Sequence, residues 1–524
     1  MNPEKNSDFL GYAYDLVATF AKKKPEEIDL TFSRKISFPM ITRVPPNPVT
    51  LPLPRFKNGQ FFFEGFVFED DPEQRYGMWS LFLASAYHLA AHVAASDYAI
   101  YKRWARNKTE ELCVRIMDYI EDIFVDRYMI TENREIWENL EKIREVIEVS
   151  GYLKTRDISW KDRSLGFKMR EAEALEKIRN SLITMGRDED SHKGILGVAD
   201  SLYKNRHLLP KFFLPYHDRS MPCDQASYRK FDLDFKVDDQ FRETAYRLEE
   251  LWSVNEQSRM RLLKQYSKHM KDLHFDSVML APENYFEFAR IRESLSPMIR
   301  RIRQQIRMVV NVTDSPKNDQ AGYLDMQMAI QSIASKKNSY DVFEMVEERR
   351  AEEAWIILID KSASMRLRFD HIKEFAVCVA EAANELAGGP EAWAMYSFDN
   401  NFQILKGFGE KYGRQVQARL GGLQNSGLSL LPDALDLSCR ALLSDPREKK
   451  FLFVITDGHP SGYERINEQF SKMAKKVDMS GIILVAIGVS KATSKRFRNS
   501  VRGNDLKQLV AKFITAYRTA SSDM

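Results

Sequence analysis

Five oxygen-bearing side chains in the last third of the chain are spaced like the ligands of a hard divalent cation. Asp360, Ser362 and Ser364 form a DxSxS motif, Asp457 stands in a Thr-Asp-Gly triplet, and Ser429 lies between the two. Carboxylates and hydroxyls without histidine or cysteine favour Mg²⁺, or Mn²⁺, over zinc. Because two carboxylates compensate only part of the charge, the ion would keep waters and an open position. A Glu or Asp carboxylate from a partner protein suits that position.

The elements that must position these side chains alternate between short apolar strands and helices. The run WIILI ends at Asp360, the run FLFVI ends just before a Thr and Asp457, and helices are predicted over 369–386 and 433–443. Fully apolar strands that alternate with helices predict a parallel sheet covered on both faces. Ligands bind such a sheet at the carboxyl ends of its strands, where the loop before the second helix also offers Ser429.

A second candidate site lies in the N-terminal region, on a predicted apolar helix that contains YHLAAH. His88 and His92 are four residues apart, so both lie on one face of this helix, and Glu121 and Asp122 follow in a second predicted helix. Such a pattern is typical of zinc proteases, but Leu89 stands where their catalytic base would be. Three interpretations stay open: histidines satisfied between packed helices, a metal site of His88, His92 and Glu121, or an active hydrolase.

An arginine-rich stretch, IRRIRQQI, begins at Ile299. Its spacing puts apolar residues on one face of a helix and arginines on another, which is typical of a solvated helix face. A contact with an acidic partner or with RNA is the alternative. Few aromatic residues are interleaved with the arginines, and the formal net charge of the chain is only +3. We therefore expect that nucleic acid is not the main partner.

Length and composition limit the class of protein. A chain of 524 residues with 44% hydrophobic residues is long enough for more than one core. Its four cysteines are far apart and form no CxxC motif, which predicts reduced thiols inside the cell. No signal peptide is apparent, and the most apolar long stretch, 80–95, is too short to span a bilayer. We expect a cytoplasmic protein without a membrane span.

These patterns predict a multidomain chain with a mostly α-helical N-terminal region and a C-terminal α/β doubly wound, Rossmann-like domain. Residues 1–150 would form a helical domain with a Pro-rich, irregular or strand-like segment. Residues 151–345 would form a charged, mostly helical middle region, with a long exposed helix or a helical hairpin within 237–273 and a linker at about 313–322. Residues 346–524 would form the α/β domain that holds the cation site.

Several of these motifs together resemble one group of proteins with a von Willebrand factor type A domain. The similarity covers the DxSxS and TDG motifs and the preceding block, from RRIRQQI through GYLD to VFEMVEERRAEEAWIILIDKSASM. It is weaker in the N-terminal region, where it rests on YHLAAH and IEDIFVDRYM. The chain is similar to the cytoplasmic A-domain proteins that work with MoxR-type AAA+ ATPases. Among these, it resembles the nitric oxide reductase activation protein D family and the adaptor subunit of the red-type Rubisco activase.

The resemblance implies a metal-ion-dependent adhesion site in which Asp360, Ser362, Ser364, Ser429 and Asp457 hold Mg²⁺ or Mn²⁺. Ser429 stands where the family has threonine, and Asp457 would act mainly through water. The implied partners are a MoxR-type AAA+ ATPase hexamer, which supplies mechanical work, and a client metalloenzyme that is gripped through an acidic residue.

These 524 residues contain no GxxxxGK[ST] phosphate loop, so we expect no ATP hydrolysis by this chain alone. The leading prediction is a non-enzymatic adaptor or co-chaperone. A zinc-dependent hydrolase that uses His88, His92 and Glu121, and an RNA-binding A-domain protein, are the alternatives.

Overall fold

The structure is a computed structural model, and it describes most of the chain. The residues it describes are 8–44, 47–147, 165–186, 189–206, 228–231, 236–270, 272–313, 323–324, 330, 333–335, 343–344, 353–386, 391–488, 493, 497, 499–503 and 505–522. Most of the predicted linker at 313–322, the GYLD motif except its central two residues, and the block 345–352 lie outside them. The predictions for those segments therefore stay predictions.

The chain divides into two compact units. The first contains Met1–Met260, Glu283–Ala289 and Gly413–Gly421, and the second contains Arg261–Pro282, Arg290–Tyr412 and Gly422–Met524. Residues 261–282, which the sequence analysis placed in the middle region, thus belong with the C-terminal sheet.

Helices and strands are numbered here in chain order over the described residues. The α-helices are α1 Phe9–Ala21, α2 Pro72–Ala95, α3 Tyr101–Trp104, α4 Glu110–Glu132, α5 Arg134–Ile147, α6 Leu165–Thr184, α7 Glu189–Lys204, α8 Asp239–Ser267, α9 Tyr285–Ser294, α10 Ser296–Thr313, α11 Phe369–Leu386, α12 Arg414–Gly421, α13 Leu431–Leu443, α14 Ile466–Met479 and α15 Leu506–Ser522. The strands are β1 Leu30–Ser33, β2 Met40–Ile41, β3 Val49–Pro52, β4 Arg55–Lys57, β5 Gln60–Phe63, β6 Phe66–Glu69, β7 Arg229–Lys230, β8 Val278–Leu280, β9 Tyr323–Leu324, β10 Phe343–Glu344, β11 Glu353–Asp360, β12 Trp393–Phe398, β13 Phe402–Lys406, β14 Lys449–Thr456, β15 Ile483–Gly488 and β16 Ser500–Arg502.

The first unit is built around α2, a helix with no polar face. The carboxylate of Asp71 accepts hydrogen bonds from the backbone N–H groups of the first turn, and Pro72 stands where no such donor is needed. Every residue from Tyr76 to Val93 is buried. Helices α1, α4 and α5 pack against α2. Because the helix is apolar all round, it can be stable only inside the unit.

Residues 30–69, which include the Pro-rich segment, form two small sheets in this unit together with residues 229–230. Strands β1, β3 and β2 form one sheet, and β4, β5, β6 and β7 form the other. Asn58 and Gly59 join β4 to β5 with φ angles of 55° and 79°, and Glu64 and Gly65 join β5 to β6 in the same way. Two-residue turns with positive φ match the twist of a hairpin, which explains why Asn-Gly stands at the first of them.

The second unit contains a seven-stranded sheet in the order β16-β15-β14-β11-β12-β13-β8. Neighbouring strands are parallel except that β13 runs antiparallel to β12. The edge strand β8 comes from residues 278–280, far ahead of β11 in the chain.

Helices cover both faces of this sheet. Ile356 and Leu358 of β11 belong to one core cluster with Leu431 and Leu435 of α13. On the opposite face, Trp355 packs edge-on against Tyr517 of α15, and Phe453 of β14 packs against Phe513 of α15. This arrangement explains the uninterrupted apolar strands, because alternate residues are buried against different helices.

The predicted fold class, a mostly α-helical N-terminal region with a C-terminal α/β domain, is confirmed. The long helix predicted within 237–273 is α8, and the apolar helix predicted to contain YHLAAH is α2. None of the helices that the structure describes is both long enough and apolar enough to cross a membrane.

Candidate metal centre

Asp360 is the centre of the predicted cation site. It ends β11 and is fully buried. Its Oδ2 accepts hydrogen bonds from the hydroxyls of Ser429 and Thr456, each at 2.8 Å, and its Oδ1 accepts from the backbone N–H of Ser362 at 3.0 Å. The structure thus brings the ends of β11 and β14 and the loop before α13 to one carboxylate.

The serines of the DxSxS motif follow Asp360 directly. Ser362 is buried, and its hydroxyl lies 3.0 Å from the hydroxyl of Ser364, whose residue is exposed. A short 3₁₀-helix over Ala363–Arg368 begins here and leads into α11. The site therefore runs from a buried carboxylate to a hydroxyl at the surface.

The second carboxylate of the site, Asp457, follows the last residue of β14. Its Oδ1 accepts the backbone N–H of His459 at 2.9 Å. Gly458 between them has a φ of 75°, and its N–H donates to the hydroxyl of Thr456 at 3.0 Å. A residue with a Cβ is strained at that φ, which explains why glycine follows the aspartate.

The loop that carries Ser429 is held at both sides. The backbone N–H of Ser429 donates to Oγ of Ser461 at 2.8 Å, and the carbonyl of Ser429 accepts from the N–H of Ser461 at 2.9 Å. Just before it, the carbonyl of Gly427 accepts the N–H of Ala363 at 3.0 Å. These bonds tie the loop to the DxSxS segment and to the segment that follows β14.

Lys361 and Asp399 form a buried ion pair beside the site, and Oγ of Ser426 contacts the same carboxylate at 2.5 Å. Since its ammonium is committed to Asp399, Lys361 is a structural support of the motif.

The donor types fit a hard cation, because hydroxyls of Ser429 and Thr456 meet the buried Asp360 carboxylate and Asp457 follows Thr456 directly in the chain. Burial raises the pKa of Asp360, and the hydrogen bonds from Ser362, Thr456 and Ser429 oppose that rise. A bound cation would hold the carboxylate in its charged form. Thr456 was not among the predicted ligands, although its place at the end of an apolar strand, ahead of Asp-Gly, was a usable signal.

The predicted histidine pair also comes together, in the first unit. Nε2 of His88 lies 3.1 Å from Nε2 of His92, and both residues are almost fully buried. The neighbouring carboxylate belongs to Asp122, whose Oδ1 lies 3.1 Å from Nε2 of His92 and 3.7 Å from Nε2 of His88. These three atoms form the one group of possible metal ligands of the histidine, cysteine and carboxylate type found in the described residues.

Glu121, the predicted third ligand, is not part of this group. Its carboxylate accepts hydrogen bonds from the hydroxyl of Tyr101 at 2.8 Å and from the backbone N–H of Asp97 at 3.1 Å. Adjacent residues of a helix point about 100° apart, so only one of Glu121 and Asp122 can face the histidines.

Part of the arginine-rich stretch is used inside the second unit. Arg303 contacts the carboxylate of the buried Glu381 at 2.6 Å, and Arg292 approaches it at 3.5 Å. Ile299 and Ile302 of α10 are buried, whereas Arg300 and Arg301 are exposed. The stretch is thus an amphipathic helix in which Arg303 neutralises a buried carboxylate.

One part of the chain matches a known family of domains. Residues 356–517 match the family model for the von Willebrand factor type A domain. The chain is 27% identical over 135 residues to the uncharacterized protein PA0525 of Pseudomonas aeruginosa, an alignment that covers 23% of this chain and 22% of that protein. The chain therefore spans about a fifth of that relative's length.

Two solved structures are similar to part of the chain. The PilB minor pilin of Streptococcus sanguinis, as a D319A mutant, matches at 13% identity over 34% of this chain and 63% of the pilin, with a TM-score of 0.27. The manganese-loaded TRAP protein of Plasmodium vivax matches at 17% identity over 30% of this chain and 71% of that protein, with a TM-score of 0.25. The family match and the order of the strands lead to one conclusion: residues 356–517 of this chain are a von Willebrand factor type A domain.

Proposed function

We propose that this chain is a non-enzymatic adaptor that holds Mg²⁺ or Mn²⁺ at Asp360 and uses the ion to bind an acidic side chain of a protein partner. One observation carries the proposal: the hydroxyls of Ser429 and Thr456 and the DxSxS segment converge on one buried carboxylate at the carboxyl edge of the sheet. Domains of this type generally serve in protein interaction or metal-dependent adhesion, which supports a binding role.

The surface beside the site suits a protein partner. Leu367, three residues after Ser364, has an exposed fraction of 97%, and Leu428, which precedes Ser429, has an exposed fraction of 47%. Burial of exposed apolar side chains against a partner is favourable, so both leucines would add to its affinity. The ion would fix one carboxylate of the partner, and the leucines would add apolar contact around it.

The resemblance noted in the sequence motivates the choice of partner. We propose a MoxR-type AAA+ ATPase hexamer as the partner, with a client metalloenzyme on which the pair acts. Without a phosphate loop in these residues, the energy for remodelling would come from the ATPase. A cytoplasmic location belongs to the same proposal.

The test is a binding measurement with the full chain and the MoxR-type ATPase encoded nearest to it. The wild-type chain and its variants Asp360→Asn and Asp370→Asn are immobilised separately. Binding of the ATPase to each is measured in Mg²⁺ and in EDTA. Asp370 is an exposed carboxylate at the start of α11, outside the site, so it is a matched control. We expect the ATPase to bind the wild type and the D370N control in Mg²⁺, and to bind neither of them in EDTA. We expect it not to bind D360N in either buffer. Equal binding in EDTA and by D360N would refute the bridging ion, and no binding at all would refute the choice of partner.

The RNA-binding alternative makes a different prediction. A chain that binds RNA through phosphate contacts loses affinity steeply as the salt concentration rises, whereas a chelator leaves that binding largely unchanged. The same immobilised chain can be tested with structured RNA at two salt concentrations. Strong, salt-dependent binding that ignores EDTA would favour this alternative.

A further inference from the structure

We propose that His88, His92 and Asp122 form a second metal site, which takes one divalent transition-metal ion such as Zn²⁺. The site lies in the first unit, on α2 and α4. It is independent of the Asp360 site and of the adaptor role proposed above.

The distances between the three ligand atoms match those around a bound ion. The three edges of the triangle are 3.1, 3.1 and 3.7 Å. A tetrahedral zinc ion with bonds of about 2.0–2.1 Å holds neighbouring ligand atoms about 3.3–3.4 Å apart. The mean edge falls at this value, so an ion fits with small side-chain adjustments.

The ligand types and their burial favour a transition metal. Two imidazole nitrogens with one carboxylate suit zinc or ferrous iron, whereas Mg²⁺ prefers oxygen ligands alone. Both histidines are at most 1% exposed, and the Asp122 side chain is 22% exposed. Asp122 thus lies on the side from which an ion and a fourth ligand could enter.

A hydrogen bond behind His92 holds its ring in a suitable orientation. Nδ1 of His92 lies 2.8 Å from Oγ of Ser96, the residue that follows the last residue of α2. When this nitrogen donates to the serine, the lone pair of Nε2 points toward Asp122. Metal-bound histidines usually have such a partner on the other ring nitrogen.

His88 has a different partner, which competes with the metal. Nδ1 of His88 lies 3.1 Å from a terminal nitrogen of Arg144. A guanidinium group only donates hydrogen bonds, so Nδ1 accepts, and a neutral ring carries its proton on Nε2. Without an ion, that proton lies between the rings of His88 and His92 and the carboxylate of Asp122.

Metal binding must therefore move one proton and break one hydrogen bond. An ion on Nε2 of His88 displaces the proton, which leaves to solvent while Nδ1 takes up another, and Nδ1 can then no longer accept from Arg144. Asp126 and Glu141 contact the same guanidinium at 3.0 and 2.5 Å, so Arg144 keeps ionic partners after release. The arginine thus sets the affinity of the site.

The proposed role of this ion is structural. It would join α2 to α4 at the middle of the first unit. A hydrolytic role is disfavoured because the nitrogen ligands are buried and Leu89 stands at the position of the catalytic base.

The test uses the full chain and zinc alone as the probe, in excess Mg²⁺ and in the D360N background. Zinc content after dialysis is measured by elemental analysis, and affinity by competition with a chromogenic chelator. We expect one zinc per chain, and X-ray absorption with nitrogen and oxygen ligands at about 2.0–2.1 Å.

Three variants decide the assignment. Asp122→Asn should weaken zinc binding by about tenfold or more, whereas the matched control Glu121→Gln should leave it unchanged. Arg144→Gln should strengthen binding, because a glutamine carbonyl can accept the proton that a metal-bound His88 carries on Nδ1. Substoichiometric zinc in the D360N parent, or equal affinity in this parent and its D122N and R144Q derivatives, would overturn the proposal. Since R144Q changes affinity in the opposite direction, unfolding of D122N cannot imitate the expected result.

Discussion

The hydroxyl of Ser429 donates a hydrogen bond to Oδ2 of Asp360 across 2.8 Å, although 69 positions separate the two residues in the chain. The same oxygen accepts from Thr456. These two hydrogen bonds bring together oxygen atoms that could coordinate one cation.

The hydroxyl of Ser429 should be required for cation affinity. We expect Ser429→Ala to weaken Mn²⁺ binding by about tenfold or more, because it removes an oxygen ligand from the centre. Ser429→Thr keeps the hydroxyl and should bind at least as well as the wild type. Calorimetric titration of both variants checks this, and equal affinity of S429A and the wild type would remove Ser429 from the site.

Asp360 should couple cation binding to stability. A ligand at about 100 times its dissociation constant stabilises a folded protein by about 2.7 kcal/mol. We expect Mg²⁺ to raise the melting temperature of the wild type and of the control variant D370N, but not that of D360N. Thermal melts at several Mg²⁺ concentrations provide the measurement. A melting temperature of D360N that rises like that of the wild type would contradict the assignment.

Thr456 should matter for stability even without a cation. Its buried hydroxyl donates to Asp360 and accepts the N–H of Gly458. Thr456→Val keeps the shape but removes both bonds, and we expect a loss of about 1–3 kcal/mol in the free energy of unfolding. Thr456→Ser retains the hydroxyl and is the control. Denaturant unfolding in EDTA measures the effect without a contribution from the ion.

The exposed leucines beside the cation site, Leu367 and Leu428, should affect partner binding but not cation binding. Leu367 is almost fully exposed and follows the DxSxS segment. We expect Leu367→Asn to weaken binding of the ATPase while its Mg²⁺ affinity equals that of the wild type. Leu443, which is 50% exposed at the end of α13, offers a control substitution of the same kind. A parallel loss of Mg²⁺ affinity in L367N would mean that the leucine supports the site and does not contact the partner.

Lys406 should make the stability of the second unit depend on pH. Its ammonium donates to the carbonyl of Trp393 at 2.7 Å, and burial lowers its pKa from 10.5 to about 7. Between these values the unfolded chain holds a proton that the folded chain has lost, so stability rises with pH and is lost as pH falls toward 7. The slope is at most about 1.4 kcal/mol per pH unit.

The matched comparison is Lys406→Met with Lys411→Met, since Lys411 is exposed nearby in sequence. We expect K406M to remove this slope and to gain most over the wild type below pH 7, while K411M behaves like the wild type. Urea unfolding at several pH values measures how the free energy of unfolding of each protein depends on pH. Identical slopes in all three proteins would show that Lys406 is charged in the folded chain.

The meeting of side chains at Asp360 could be predicted because the residues are local signals at strand ends. A carboxylate that follows an apolar run, as Asp360 and Asp457 do, has its place set by the strand before it. The choice between Glu121 and Asp122 could not be made in this way, because it depends on how α4 is rotated against α2. Neighbouring residues of a helix point about 100° apart, and the spacing of apolar residues does not define the rotation of α4 to that precision. The strand β8 was missed because three residues carry no periodicity.

The placement of β8 at the edge of the sheet has a practical consequence for expressing the domain alone. Leu262, Tyr266 and Phe275 share the core cluster of the sheet, and the N–H of Phe402 in β13 donates to the carbonyl of Ser277. A fragment that begins at residue 346 would lose these side chains and leave β13 with an open hydrogen-bonding edge. Open edges of apolar strands pair with other chains, so such a fragment would aggregate, and a soluble one has to begin before Leu262.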